Sequence, residues 1–290
     1  MNRILRSLVV SMSLLLALTR GNAAVVINEI MYHSAVVPEN HAQEWIELLN
    51  TDAAPVNVAG WRFAKGVTFT FPAATTIPAG GYLVVAANVA AFQAAHPGFA
   101  GLLVGGWVGT LSNSSEHLQL EDTLGVVIDD LHYSNEGEWG LRGRGPLVLS
   151  HRGWEWFSDA NGGGKTIELR NPALASFDCG QNWGVSAAVG GSPGAANSMA
   201  SANVAPLIKD AKHKPDVPRT TDPIIVSCNL HDEGAGATAT LRWRLDGAGV
   251  FNTLTMSDTD GDGDVEATIP AQTTNLAVVE WYISDRKSVV

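Results

Sequence analysis

The sequence predicts an all-β protein: a β-sandwich followed by a second, incomplete β-sandwich. Three observations carry that prediction. Short runs rich in Val, Ile, Thr and aromatic residues recur from Ala24 onward, punctuated by Gly, Pro, Asn and Asp. Within the runs, polar and apolar residues alternate with the period of a strand. A helical period appears once, at residues 89–96, where Asn88 offers a cap and Pro97 a stop.

Taken in order, the strand-like runs of the first unit are 25–31, 44–50, 61–63, 67–71, 81–87, 118–122, 126–133 and 166–170. After Trp183 the composition changes, and residues 186–205 are almost all small, with Pro193 and Gly194 among them. That stretch reads as the end of a domain and the start of a linker. A second series follows at 207–211, 224–230, 238–245, 251–256, 265–269 and 277–284. This makes about six strands where an immunoglobulin-like sandwich uses about seven, so the second sandwich is expected to be incomplete, with an exposed and aggregation-prone edge.

The chain ends carry separate signals. Arg3 and Arg6 precede an apolar run from Leu8 to Leu18 and a small-residue site at Ala23 and Ala24, the pattern of an export signal cleaved after one of those alanines, Ala23 preferred. The run is shorter than the roughly 20 residues that cross a bilayer, so no transmembrane anchor is expected. At the other end, Asp285 to Val290 follow the last run abruptly and are what an adapter-like codon string would encode; they are expected to be a non-native tail, with the natural chain continuing. The resulting division is 1–23 signal peptide, 24–198 first sandwich, 199–218 linker, 219–284 partial second sandwich and 285–290 tail.

Composition removes several function classes. The formal net charge is -11, and loss of Arg3, Arg6 and Arg20 with the leader makes it three units more negative, without any basic stripe. Nucleic acid is therefore not an expected partner. Cys179 and Cys228 are the two cysteines and fall in different units, so two buried or free thiols are expected in preference to a bridge. The eight histidines look scattered, without the paired spacing of a zinc site. No serine elbow, phosphate loop or dinucleotide fingerprint is present.

The stretch Glu44-Trp45-Ile46-Glu47-Leu48, shortly after Asn28 and Glu29, poses the question of an acidic active site. On a strand, Glu44, Ile46 and Leu48 share one face and Trp45, Glu47 and Leu49 the other, so the two glutamates diverge and cannot form an acid and base pair. Asn28 or Glu29 on a neighbouring strand remains open as a third partner, either in a metal site or beside a carboxylate bonded to loop amides.

The same residues carry a family resemblance. Ile27-Asn28-Glu29-Ile30, Glu44-Trp45-Ile46-Glu47-Leu48 with Asn50, Gly60-Trp61, Ile77-Pro78-Ala79-Gly80-Gly81-Tyr82-Leu83-Val84-Val85, Leu111-Ser112-Asn113 and Glu168-Leu169 together resemble the lamin tail domain over residues 24–198. The resemblance implies an immunoglobulin-like sandwich without catalytic residues. It also implies exported bacterial relatives in large surface or secreted proteins, beside kinase-like domains of the spore-coat CotH type or beside hydrolases. Residues 138–165 are similar to those bacterial forms. The second series resembles immunoglobulin-like or fibronectin type III spacers.

Two constellations are candidate binding sites. Asp258, Asp260, Asp262 and Asp264 occupy the first, third, fifth and seventh positions of a calcium loop, but Ile269 replaces the bidentate glutamate; a hairpin turn is preferred, with calcium the rival and no other cofactor expected. Trp154 and Trp156 would share a strand face and could stack on sugar rings, although aromatic rings more often fill sandwich cores. The expected function is a non-catalytic, exported interaction or spacer module of a larger cell-surface or secreted protein, with a protein or polysaccharide partner. The alternatives are an accessory N-terminal part of an enzyme whose catalytic domain lies beyond residue 290, or a carbohydrate-binding module.

Overall fold

The computed structural model describes residues 24–148, 151–234 and 236–287. The expected leader and residues 288–290 of the expected tail lie outside the described residues. The first unit contains β1 (Val25–Met31), β2 (Trp45–Asn50), β3 (Val56–Asn57), β4 (Arg62–Lys65), β5 (Phe69–Thr70), β6 (Thr76–Ile77), β7 (Tyr82–Ala86), α1 (Val89–Ala95), β8 (Leu102–Gly105), β9 (Ser115–Glu121), β10 (Val127–Ser134), β11 (Leu141–Val148), β12 (His151–Phe157), β13 (Ile167–Leu169) and β14 (Trp183–Val185). A six-stranded sheet in the order β14-β13-β1-β2-β7-β8 faces a four-stranded sheet in the order β10-β9-β4-β5. The all-β immunoglobulin-like class expected from the sequence is the class observed.

Alternation along each strand fills the space between the sheets. Ile27, Ile30, Ile46, Leu48, Leu83 and Val85 from one sheet meet Phe63, Phe69, Leu118, Leu120, Leu131 and Tyr133 from the other. Tyr32 stacks on Tyr133 with ring centres 5.1 Å apart at the rim of this core. Buried aromatics of this size contribute heavily to sandwich stability.

A bulge sets what the outer face of the large sheet presents. Opposite β2, Ile27 pairs with Leu48 and Glu29 with Glu47, so Asn28 is an extra residue in β1. Without it, Ile27 and Ile30 could not both point inward. With it, Glu29 lies beside Glu47 on the outer face, and Glu168 pairs with Glu29 from β13 on the other side.

The outer face is covered, not wet. Over β2 and β7, α1 presses Phe92 against Trp45, with ring centres 5.8 Å apart and edge to face, and Met31, Val84 and Ala86 complete that cluster. Asn88 caps the helix by accepting from the Ala91 amide, as the sequence suggested. The strand after it, β8, runs parallel to β7; a strand here was not expected. Phe92→Ala is expected to cost about 3–5 kcal/mol, measured by denaturant unfolding followed by tryptophan fluorescence.

The second unit contains β15 (Leu207–Lys214), β16 (Ile224–His231), β17 (Ala237–Leu245), β18 (Asn252–Thr255), β19 (Asp264–Ile269) and β20 (Val279–Lys287). They form two three-stranded sheets, β15-β16-β19 and β18-β17-β20, around Ile224, Val226, Cys228, Ala239, Leu241, Met256 and Ile269. Two boundaries differ from the sequence reading. Strand β15, expected at 207–211 although the domain division counted those residues as linker, runs on to Lys214 and pairs with β16 from Leu207 to Lys214. Strand β20 runs past Ser284, and Asp285, Arg286 and Lys287 pair with Ala239, Thr238 and Ala237. Among the described residues no helix is long and apolar enough to cross a membrane.

Candidate functional site

Three carboxylates, Glu29, Glu47 and Glu168, sit side by side on the outer face of the large sheet, and all three are fully buried. Residues 186–199, which the sequence suggested would lead into a linker, fold back over them as a strap. The Ser192 amide and the Thr166 hydroxyl donate to Glu29 Oε1 at 2.8 and 2.5 Å. The Gly194 amide donates to Glu47 Oε2, and Asn28 Nδ2 donates to Glu47 Oε1 at 2.9 Å. Glu168 Oε2 accepts from the Met199 amide at 2.8 Å and the Ser198 hydroxyl at 2.7 Å. Asn197 plugs the bulge: its Nδ2 donates to the carbonyls of Asn28 and Leu169, at 2.9 and 2.8 Å, and its Oδ1 accepts from Asn28 Nδ2. Small residues are what the strap requires, because its backbone must approach the carboxylates closely.

Burial governs the protonation of this cluster. It pushes Glu29 from the usual 4.5 up to about 8, against the hydrogen bonds from Thr166 and Ser192. Burial likewise raises Glu47 to about 7, against the Gly194 and Asn28 bonds. The hydroxyl of Ser192 lies 2.9 Å from Glu168 Oε1 and 3.3 Å from Glu29 Oε2. One hydroxyl hydrogen serves only one of them. Donated to Glu168, it leaves the serine oxygen to accept from a protonated Glu29, so neutral Glu29 has a partner for its proton. The cluster is sealed from substrate, and its donors are consumed by the strap.

Glu44 and Glu47 diverge, as the alternation required. Glu44 turns to the end of the sandwich, where its Oε2 accepts from the Leu111 amide at 2.8 Å and its Oε1 bonds His41 Nδ1.

The structure corrects the reading of scattered histidines. His117 and His132 are directly opposite on β9 and β10, with rings stacked 3.7 Å apart. Asp130 bonds His117 Nε2, and Asp178 Oδ2 lies 3.0 Å from His132 Nδ1. His117, Asp130 and His132 could each offer one ligand atom to a cation. Their spacing in sequence gives no hint of this, because the strand register creates it.

Of the acidic loop, Asp258, Asp260 and Asp262 come together and Asp264 does not. Asp264 starts β19 and pairs with Lys212 at 2.8 Å. Asp258 accepts from the Gly261 and Gly263 amides at 2.7 and 3.2 Å, and Asp262 from the Asp264 amide at 2.9 Å. The loop connects β18 and β19, which belong to different sheets, and Ser257 and Glu266 close it as an antiparallel bridge with backbone hydrogen bonds of 3.0 and 3.1 Å, so the turn preferred from sequence is a wide one at the crossing between sheets. Its carboxylates serve as turn acceptors, the role that Asp-Gly repeats ordinarily play.

Trp154 and Trp156 lie on β12, opposite Arg144 and Arg142 of β11. The two strands form a separate two-stranded sheet, which the sequence reading did not anticipate. Trp156 is half-buried; the side chain of Trp154 lies outside the described residues. Cys179 and Cys228 are both free and buried. Burial pushes their thiols up to about 12 and about 11, which removes nucleophilic character at neutral pH.

Residues 19–135 match the Lamin Tail Domain family. The lamin tail match covers β1 to β10, including Asn28, Glu29, Glu44 and Glu47, and is a similarity to a family of non-catalytic immunoglobulin-like modules. The sandwich itself extends beyond the match, since β13 pairs with β1 and the strap covers the acids of both strands. No curated protein and no solved structure shows a significant match to the chain.

Proposed function

We propose that the chain is a non-catalytic interaction and spacer module, working as part of a larger exported surface or secreted protein. The lamin tail match supports the non-catalytic part of this reading, and the sealing of Glu29, Glu47 and Glu168 agrees with it. The spacer part is carried by the joint between the two sandwiches. Gln181 and Ile208 exchange two hydrogen bonds, from Ile208 N to Gln181 Oε1 and from Gln181 Nε2 to Ile208 O, both 3.0 Å. Beneath them Leu174, Cys179, Val204 and Leu207 form an apolar patch that spans the two units. A tether would leave these groups in water; a spacer of fixed length uses them to hold an angle.

Small-angle scattering on the whole chain tests the reading. A fixed inter-sandwich angle is expected, and Gln181→Ala combined with Leu207→Ser is expected to broaden the distribution of dimensions while each sandwich keeps its own fold. Free hinging of the unmutated chain would contradict the spacer role.

The β11–β12 hairpin favours a second reading, in which this module itself contacts a polysaccharide. Beside the half-buried Trp156 it exposes Leu141, Val148 and Phe157, apolar surface that two strands alone do not bury. A glycan array with Trp154→Ala and Trp156→Ala as controls decides this: binding lost in both variants supports it, and silence on every glycan ends it.

A further inference from the structure

The connection between β1 and β2 gathers His33, Glu39, His41 and Glu44 within twelve residues of sequence, at one end of the sandwich. A 3-10 turn at His41–Gln43, capped by Asn40, sets His41 and Glu44 side by side. Single ligand atoms of Glu39, His41 and Glu44 all lie within 4.8 Å of one another. Glu39 Oε1 is 3.6 Å from His41 Nδ1 and 3.9 Å from His33 Nε2. It is also a buried carboxylate oxygen without a hydrogen-bond partner. We propose that Glu39, His41 and Glu44 bind one divalent cation of the zinc type, and that His33, whose Nε2 lies 3.9 Å from Glu39 Oε1 but outside the group of three, moves in as the fourth ligand.

The unpartnered oxygen is the first reason. Burying a carboxylate oxygen with nothing to bond is costly, and a cation between Glu39, His41 and Glu44 removes that cost. Ligands at about 2.0–2.2 Å from a tetrahedral ion lie roughly 3.2–3.6 Å apart; Glu39 Oε1 and His41 Nδ1 have that spacing at 3.6 Å, whereas His41 and Glu44 are closer, joined by a hydrogen bond, and must separate as the ion enters.

The second reason is that the remaining polar atoms of three ligands are already oriented from outside. Glu39 Oε2 accepts from Asn113 Nδ2 at 2.8 Å, and Glu44 Oε2 from the Leu111 amide at 2.8 Å. His33 Nδ1 lies 2.7 Å from Asn161 Oδ1. An amide oxygen only accepts, so Nδ1 carries a proton, and in the neutral ring the lone pair is on Nε2, the nitrogen nearer Glu39. Outer hydrogen bonds of this kind fix the tautomer and direction of metal-binding side chains.

The donor set selects the ion. Two imidazole nitrogens with two carboxylates suit zinc and its neighbours, whereas calcium and magnesium take oxygen ligands alone. Two carboxylate charges neutralise the dication. On binding, the ion replaces the proton that His41 and Glu44 share, and that proton leaves to solvent. The side chains of His41 and Glu39 are 45% and 23% exposed, so the ion enters directly from water. Bound, it would staple the β1–β2 connection to the loops carrying Leu111, Asn113 and Asn161.

Metal-stripped whole chain should be titrated with Co2+ as a visible probe and then with Zn2+. One equivalent of Co2+ is expected to bind, to be displaced by Zn2+ and to resist Ca2+. Glu39→Gln and His41→Ala are each expected to weaken binding by about 100-fold or more, and Asn161→Ala by about 10-fold. His117→Ala should leave it unchanged. In the unmutated chain, imidazole NMR signals of His33 and His41 should shift with Zn2+ while those of His117 and His132 do not. No binding, binding undiminished in Glu39→Gln and His41→Ala, or shifts confined to His117 and His132 would each overturn the assignment.

Discussion

Gly191→Ala is expected to destabilise the first sandwich by about 3–5 kcal/mol, because it places a methyl group inside the carboxylate cluster. Gly191 has φ +71°, and a Cβ there would lie 2.1 Å from Glu29 Oε1 and 2.8 Å from the Thr166 side chain. The strap must lift, and the amides of Ser192 and Gly194 leave their acceptors. Buried carboxylates that lose their donors are among the most damaging defects in a protein interior. Gly190→Ala separates the two contributions. Gly190 also has positive φ, +85°, but its Cβ would meet only the edge of the His96 ring at 3.3 Å. That variant should lose only the left-handed backbone cost of about 1–2 kcal/mol. Denaturant unfolding of both proteins, followed by tryptophan emission, measures the difference.

Stability is expected to fall as pH rises from about 6.5 to 9, by on the order of 3 kcal/mol. Glu29 and Glu47 hold protons up to about 8 and about 7 in the folded chain, against 4.5 when unfolded. Over this window the folded state binds more protons than the unfolded state, so stability is greatest at low pH and is lost as pH passes through the folded values. Asp129, raised by burial to about 6, acts in the same sense at lower pH. His96, lowered by burial, acts in the opposite sense near its usual 6.5, which is why the decline is clearest above that point.

Glu29→Gln should remove about two-thirds of the slope, on the order of 2 kcal/mol. Its amide oxygen can still accept from Thr166 and Ser192, and its nitrogen can donate to the Ser192 hydroxyl. Glu47→Gln should instead cost about 1–3 kcal/mol above about pH 7, where ionised Glu47 accepts from N–H donors at both oxygens and a side-chain nitrogen in its place has no acceptor. A stability profile that rises toward pH 9, or equal tolerance of the two substitutions, would contradict this electrostatic account.

Local alternation made much of the sandwich legible in the sequence. Ile46 and Leu48 face the core, and Trp45 and Glu47 face away, because successive side chains of a strand must diverge. The helix after Asn88 was legible for the same local reason. The extra residue at Asn28 was not, since a bulge is a property of pairing and neither strand marks it alone. The strap was misread because small residues favour a linker when nothing distant is considered; the carboxylates that need its amides lie 163 and 147 residues away, at Glu29 and Glu47. The pairing of His117 with His132 likewise depends on register. By contrast, His33, Glu39, His41 and Glu44 are neighbours along the chain itself, a Glu-x-His-x-x-Glu run with a preceding histidine, so their clustering needs no long-range pairing to bring it about.

Amide hydrogen exchange at Ser192, Gly194 and Met199 tests most directly whether the strap is part of the fold. If these three amides are bonded to Glu29, Glu47 and Glu168, each should exchange about 1,000-fold or more slowly than in an unstructured peptide, and Gly191→Ala should release all three together. Exchange at the rates of a free linker in the unmutated chain would mean that the acids are open to solvent, and the sealed face over Glu29, Glu47 and Glu168 would not exist.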